Sequence, residues 1–154
     1  MAAIFLQDLI DAMQAGEDPA SDHKWWIDRE TGGAYFVDMG LVRAAEEPDP
    51  DDAECAIAYA LFTDFQRFLR PPGKEEIGEW SIMESFAIES CTGSAQRDLL
   101  KALSGKGAFR RFKDEARSLG VEKAWYEYRD AEFREIAIQW CKDEGLEYRE
   151  GRSC

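Results

Sequence analysis

Seven basic side chains crowd into residues 96–117: Arg97, Lys101, Lys106, Arg110, Arg111, Lys113 and Arg117, against the three acids Asp98, Asp114 and Glu115. That window carries +4 in a chain whose net charge is −13, which leaves −17 for everything else. Lys106, Arg110, Lys113 and Arg117 recur at steps of four, three and four, the spacing of one helical face. Gly105 and Gly107 stand where that helix would begin, and free backbone N–H groups and the positive end of the helix dipole collect there. The chemistry this pattern serves is anion recognition, of a phosphate, a nucleotide or an acidic protein segment. SGKG is not a P-loop, which needs GxxxxGK[ST] after a strand. The bland alternative is a solvated face neutralised by the protein's own acids, with Arg110–Asp114 and Arg111–Glu115 as i,i+4 pairs. The candidate anion- or partner-binding residues are Lys106, Gly107, Arg110, Lys113 and Arg117.

Aromatics form the second candidate. In WWIDRETGGAYFVD two aromatic, β-branched runs flank a glycine-containing turn, the signature of a hairpin. With Arg29–Gly32 as the loop, Trp25 lies opposite Phe36 and Trp26 opposite Tyr35. Side chains alternate between faces, so Trp25, Ile27, Ala34 and Phe36 share one side and Trp26, Tyr35 and Val37 the other. If one face stays uncovered, Trp26 and Tyr35 become an exposed partner surface. If helices or the stems of basic side chains lie over both faces, they do not.

Catalytic and metal chemistry find little to work with. There is no GxSxG and no HExxH, and His23 is the one histidine, so a nucleophile would lack an obvious base. Glu84 with Glu89, or Glu132 with Glu135, read more simply as wet helix faces. Asp49, Asp51 and Glu54 do not fit an EF-hand, which needs Gly at its sixth position and Glu at its twelfth. Cys55, Cys91, Cys141 and Cys154 are widely spaced with no CxxC, so neither a zinc site nor a disulfide framework is expected. We expect free thiols, with Cys141 buried. No catalytic residue, metal or cofactor is assigned, and an enzymatic role is left open.

These side chains need elements to position them. A chain of 154 residues is the size of one domain and buries about 68–70% of its unfolded surface, so a single globular domain over 1–154 is expected. Leu6, Leu9, Ile10 and Met13 mark an amphipathic N-terminal helix ending near Gly16. EEPDPDDAE reads as a mobile acidic loop within 43–54. CAIAYALFTDF is helix-like but short. A third strand falls near Arg67–Arg70, because the residue before Pro71 is pushed away from helical geometry. From Gly78 the pattern is helical. Ser94 is a candidate cap, the glycines at 105 and 107 break the run, a helix ends at Gly120, and a last one spans Glu122 to Glu144. The expected fold is α+β: an N-terminal helix, a small antiparallel sheet of two or three strands, and a helical C-terminal half packed on one sheet face. No apolar run is long enough for a membrane span and no secretory signal opens the chain, so a cytoplasmic protein is expected. Its acidity opposes wholesale binding to nucleic acid or membrane.

The stretch GKGAFRRFKDEARSLGVEKAWYEYRDAEFREIAIQWCKDEGLEY resembles the carboxy-terminal part of the bacterial uncharacterised protein family 0158. The hairpin WWIDRETGGAYFVD and the segment FLRPP…SIMESF resemble its amino-terminal portion. Together they cover about Trp25–Tyr148, with the acidic loop the poorest match. The resemblance implies a small bacterial cytosolic protein and carries over no catalytic residue. The expected function is a non-enzymatic interaction module, contacting an unknown protein partner or its acidic segment through the basic helix face and the hairpin aromatics. The alternative is a binder of a phosphate-bearing small molecule or RNA at Gly105–Arg117.

Overall fold

The structure is a computed structural model that describes residues 2–44, 47 and 51–153. In chain order its elements are β1 (Ile4–Phe5), α1 (Leu6–Ala15), β2 (His23–Asp28), β3 (Ala34–Asp38), α2 (Met39–Ala44), α3 (Ala53–Thr63), β4 (Phe68–Leu69), α4 (Lys74–Ile77), α5 (Glu79–Ser90), α6 (Gly93–Ala102), α7 (Ala108–Ser118), α8 (Glu122–Asp143) and β5 (Tyr148–Arg149). The fold is α+β, as the sequence predicts. The chain divides into two compact units, one of Met1–Gly73 with Ile136–Cys154 and one of Lys74–Glu135.

The first unit is built on a three-stranded antiparallel sheet of order β3-β2-β4. The hairpin register is the one read from the sequence, with Trp25 paired to Phe36 and Trp26 to Tyr35. The third strand, β4, pairs Leu69 with Ile27 and Phe68 with Asp28. Trp26, Val37 and Phe68 on one side of the sheet are buried with Val42 of α2 and Ala58 and Leu61 of α3. α3 is the run that reads as a short helix. It starts at Asp52, whose carboxylate accepts from the Cys55 N–H at 3.1 Å, a side-chain cap for an otherwise orphaned donor. The acidic loop expected over 43–54 therefore has helical ends, in α2 and α3, and residues 45, 46 and 48–50 lie outside the described residues.

Two charged side chains finish the sheet beyond β4. Arg29 N–H donates to the Arg67 carbonyl at 3.0 Å, and continuing that register places Pro71 opposite Trp25. Pro71 has no N–H to give. In its stead Arg70 Nη1 donates to the Trp25 carbonyl at 2.9 Å, and the Trp25 N–H donates to Glu17 Oε2 at 2.6 Å. Arg70 and Glu17 are themselves paired at 2.6 Å.

Asp28, at the end of β2, is fully buried. It accepts from Arg67 Nε and Nη2 at 2.8 and 2.7 Å, from the Glu30 N–H at 2.8 Å and from the Thr31 hydroxyl at 3.1 Å. The turn it organises also receives the start of the chain. Phe5 N–H donates to Gly32 O at 2.9 Å and Ala2 N–H to Arg29 O at 3.1 Å. α1 buries the predicted Leu6, Leu9, Ile10 and Met13. β1 pairs in parallel with β5, joining Ile4 to Tyr148 and Phe5 to Arg149. These two-residue strands have no pattern to read in sequence.

The second unit is helical. Phe86 of α5, Phe112 of α7 and Trp125 of α8 meet edge-to-face with centroids 5.1–6.3 Å apart. α6 takes Thr92, not Ser94, as its N-cap residue. The Gln96 amide donates to the carbonyls of Ala87, Ile88 and Cys91 at 3.2, 3.1 and 2.9 Å, closing the C-terminus of α5, whose last carbonyls lack helical partners.

Candidate functional site

α7 buries Ala108, Phe112 and Ala116, and this apolar stripe turns the basic positions outward. Gly105 and Gly107 adopt φ of 76° and 74°, a left-handed geometry that glycine enters without a Cβ clash. The chain thereby leaves α6 and re-enters helix within a few residues. Gly107 is the N-cap of α7 and no side chain caps that end.

The predicted ridge is only partly neutralised. Lys106 and Arg110 are exposed and Lys113 is half-buried. Neither lysine has an ion pair among the described residues. The predicted Arg110–Asp114 pair forms only at the 4.0 Å limit, with side chains 90% and 62% exposed, and such solvated pairs hold little. Arg117 is different. Its Nε sits 2.8 Å from the Glu122 carboxylate, and that hydrogen bond raises the guanidinium pKa further. The open part of the ridge is therefore Lys106, Arg110 and Lys113.

Arg111 departs from the expected pairing with Glu115. Its guanidinium folds back, donating from Nε to the Ala102 carbonyl at 3.2 Å and from its terminal nitrogens to the carbonyls of Lys106 and Ser104. One side chain thus gathers three carbonyls of the turn that presents Lys106. Arginine's planar fork suits this better than an ammonium does. Sequence alone offered only the local i,i+4 option, because carbonyl clusters leave no residue signature.

The hairpin surface requires a correction. Trp26 is 5% exposed, lies under α2 and α3, and places its indole N–H 3.4 Å from Met39 Sδ. It is a core residue and not part of an open face. Tyr35 is half-buried, with its hydroxyl 3.0 Å from that of Thr31. The exposed ring is on the other side of the sheet. Phe36 is 44% exposed and is flanked by His23 and Trp25, with centroids at 5.1 and 4.9 Å. The expectation had the right pairs and the wrong face, because α2, which the sequence reading did not identify as a helix, covers the Trp26 side together with α3.

Other chemistry-bearing groups are held in protein-internal roles. Tyr128 donates to Glu89 at 2.7 Å, and burial, reinforced by that carboxylate, pushes its phenol up to about 12. Cys141 is fully buried, and burial pushes its thiol up to about 11. Cys91 is raised for the same reason. Cys91 and Cys141 are free thiols, and Cys154 lies outside the described residues. Among the described residues no group of three or more His, Cys, Asp or Glu side chains is arranged to hold a metal. No helix among them is long and apolar enough to cross a membrane.

Residues 2–151 match the uncharacterised protein family UPF0158, and the chain belongs to that family. No curated protein and no solved structure matches it.

Proposed function

We propose that this chain is a non-enzymatic cytoplasmic interaction module whose contact surface is the ridge Lys106, Arg110 and Lys113, and whose partner is an acidic protein segment. The observation that carries this reading is that Lys106 and Lys113 have no ion pair among the described residues, and Arg110 only a solvated one to Asp114 at 4.0 Å, in a chain that is −17 outside the 96–117 window. An acidic partner gains both charge attraction and orientation, since the rest of the surface repels it. Arg117 flanks this surface, already held by Glu122.

A second reading has its own support. The start of α7 is uncapped, with Gly107 as N-cap and Lys106 beside it, a geometry that also suits a phosphate group. The phosphate would come from a small molecule or RNA.

Fluorescence anisotropy with a labelled polyglutamate peptide tests the first reading, with inorganic phosphate and a short RNA as competitors. The peptide is expected to bind with an affinity that falls steeply with salt, and R110E/K113E to abolish binding. Equal binding by wild type and the double variant sinks both readings. Displacement by phosphate at low concentration favours the second.

A further inference from the structure

Antiparallel strands alternate between residues whose backbone groups face the partner strand and residues whose groups face away. In the hairpin that alternation is fixed by two observations. Asp28 N–H donates to Gly33 O at 2.9 Å, toward β3. Trp25, three residues earlier, spends its N–H on Glu17 and its carbonyl on Arg70, on the opposite side. Trp25–Phe36 is therefore a pair without mutual hydrogen bonds, and the N–H and C=O of Phe36 point outward from β3. Ala34 and Asp38, two residues either way, present their backbone toward the same edge. β3 is terminal in the sheet, and no described residue takes the backbone groups of Phe36.

The two margins of the sheet are thus treated oppositely. Beyond β4 the edge of β2 is shut by Glu17 and Arg70. β3 carries few of the usual deterrents to strand addition: the sequence AYFVD has no lysine, no proline and no bulge, its one charge is Asp38 at its end, and its central ring is 44% exposed. An edge of this kind is a template for another strand.

We propose that β3 is the docking strand for a second copy of this chain, paired antiparallel about a two-fold axis through Phe36. The strand is self-complementary in that register. Phe36 meets the Phe36 of the other copy, each Tyr35 meets a Val37, and each Ala34 meets an Asp38. The Phe36 pair exchanges two N–H···O bonds, and Ala34 and Asp38 extend the ladder at both ends. Tyrosine against valine is a favourable cross-strand pair. The one charge, Asp38, falls opposite an alanine at the far end from its counterpart, and its carboxylate already accepts from the Gly40 N–H at 2.8 Å. On a chain of net charge −13, this register keeps the two copies of Asp38 from facing one another. The product is a continuous sheet of order β4-β2-β3-β3-β2-β4, an isologous contact that closes on itself.

Sedimentation velocity over a concentration series, with amide hydrogen exchange on the same samples, tests this. Wild type is expected to form a concentration-dependent dimer. The Phe36 amide is expected to gain protection as concentration rises, while the Trp26 amide, committed to the β2–β3 ladder, does not change. Phe36→Lys brings two lysines together at the axis and is expected to sediment as a monomer, whereas R110E/K113E leaves the dimer intact. A wild type monomeric at about 1 mM, or a Phe36 amide indifferent to concentration, overturns the proposal. So does a dimer that survives F36K or dissolves with R110E/K113E. If circular dichroism shows that F36K does not fold, the wild-type exchange data decide.

Discussion

Glu17 and Arg70 together replace one rung of a β-ladder. The carboxylate takes the Trp25 N–H at 2.6 Å and the guanidinium supplies the Trp25 carbonyl at 2.9 Å, where a strand residue following β4 would have done both had it not been Pro71. Arg70 also lies over the Trp26 ring, 5.3 Å from its centroid. Arg70→Ala removes a hydrogen bond to a strand carbonyl and a cation–π contact, and is expected to cost about 1 kcal/mol in urea denaturation. Arg70→Lys recovers little of it, because an ammonium cannot reach both the carbonyl and Glu17 in fork geometry.

The same pair sets a pH dependence. The Arg70 hydrogen bond, with help from the Trp25 N–H, holds the Glu17 carboxyl below its ordinary value of 4.5 against the opposing effect of burial. A group lowered in the folded state contributes stability that is present above its unfolded value and is lost as pH falls through the folded one. Glu17→Gln is expected to be less stable than wild type at pH 7, and the gap is expected to close below about pH 4.5. Denaturant midpoints taken at intervals from pH 7 to pH 3 measure it, and a gap that does not narrow refutes the linkage.

Asp28 presents a harder electrostatic problem. Burial pushes its carboxyl up, and the Arg67 fork, the Glu30 N–H and the Thr31 hydroxyl together bring it below its ordinary value. Arg67 in turn is raised by Asp28. R67A strands the fully buried Asp28 carboxylate and is expected to cost about 3 kcal/mol, whereas D28A costs less because Arg67 keeps Glu30 at 3.3 Å. The double variant is expected to cost much less than their sum, and a double-mutant cycle by chemical denaturation reads the difference. Additive costs would show that the two side chains act independently.

Much of this architecture was legible because it is periodic or punctuated. The Leu6–Met13 stripe, the Trp25–Phe36 register and the glycine breaks at 105, 107 and 120 each follow from local chemistry that the sequence displays directly. What escaped was carried by long-range backbone contact. β1 and β5 pair residues more than 140 positions apart through two residues each, and no side-chain pattern announces so short a parallel ladder. The ridge was legible as a face of α7, but not which members were free. Arg117 finds Glu122 only because the chain turns at Gly120, and Arg111 chooses carbonyls over Glu115. Which hairpin face is open depended on α2 and α3, whose alanine-rich sequence between acidic residues gave a weak signal.

Glycine at 32 answers to a contact, and glycine at 16 to conformation alone. Both have positive φ, 79° and 65°. A Cβ at Gly16 would meet nothing within 4 Å, whereas one at Gly32 would fall 2.1 Å from the Ala3 carbonyl oxygen. Gly16→Ala is expected to cost about 1 kcal/mol or more, because φ 65° with ψ −168° is backbone that essentially only glycine adopts. Gly32→Ala adds a backbone collision and is expected to cost at least about 2 kcal/mol, with loss of amide protection at Ala2 and Phe5, which donate into this turn. Thermal unfolding of the two variants separates strain from collision, and equal losses would show that the start of the chain yields freely.

Arg111 offers a test of how the ridge is held, separate from its charge. It sits on α7 with Arg110 and Lys113 but is occupied by the carbonyls of Ala102, Ser104 and Lys106. Replacing it with alanine frees the turn that presents Lys106 and leaves the other ridge cations in place. Binding of a polyglutamate peptide is then expected to weaken about threefold to tenfold through lost preorganisation. The slope of log affinity against log salt is expected to stay near the wild-type value, because the side chains that displace counterions are unchanged. Lys113→Ala makes the contrast, removing a ridge cation and flattening that slope while leaving the turn intact. A flattened slope for R111A would mean that Arg111 leaves its carbonyls to meet the ligand, and anisotropy titrations at several salt concentrations distinguish the two behaviours.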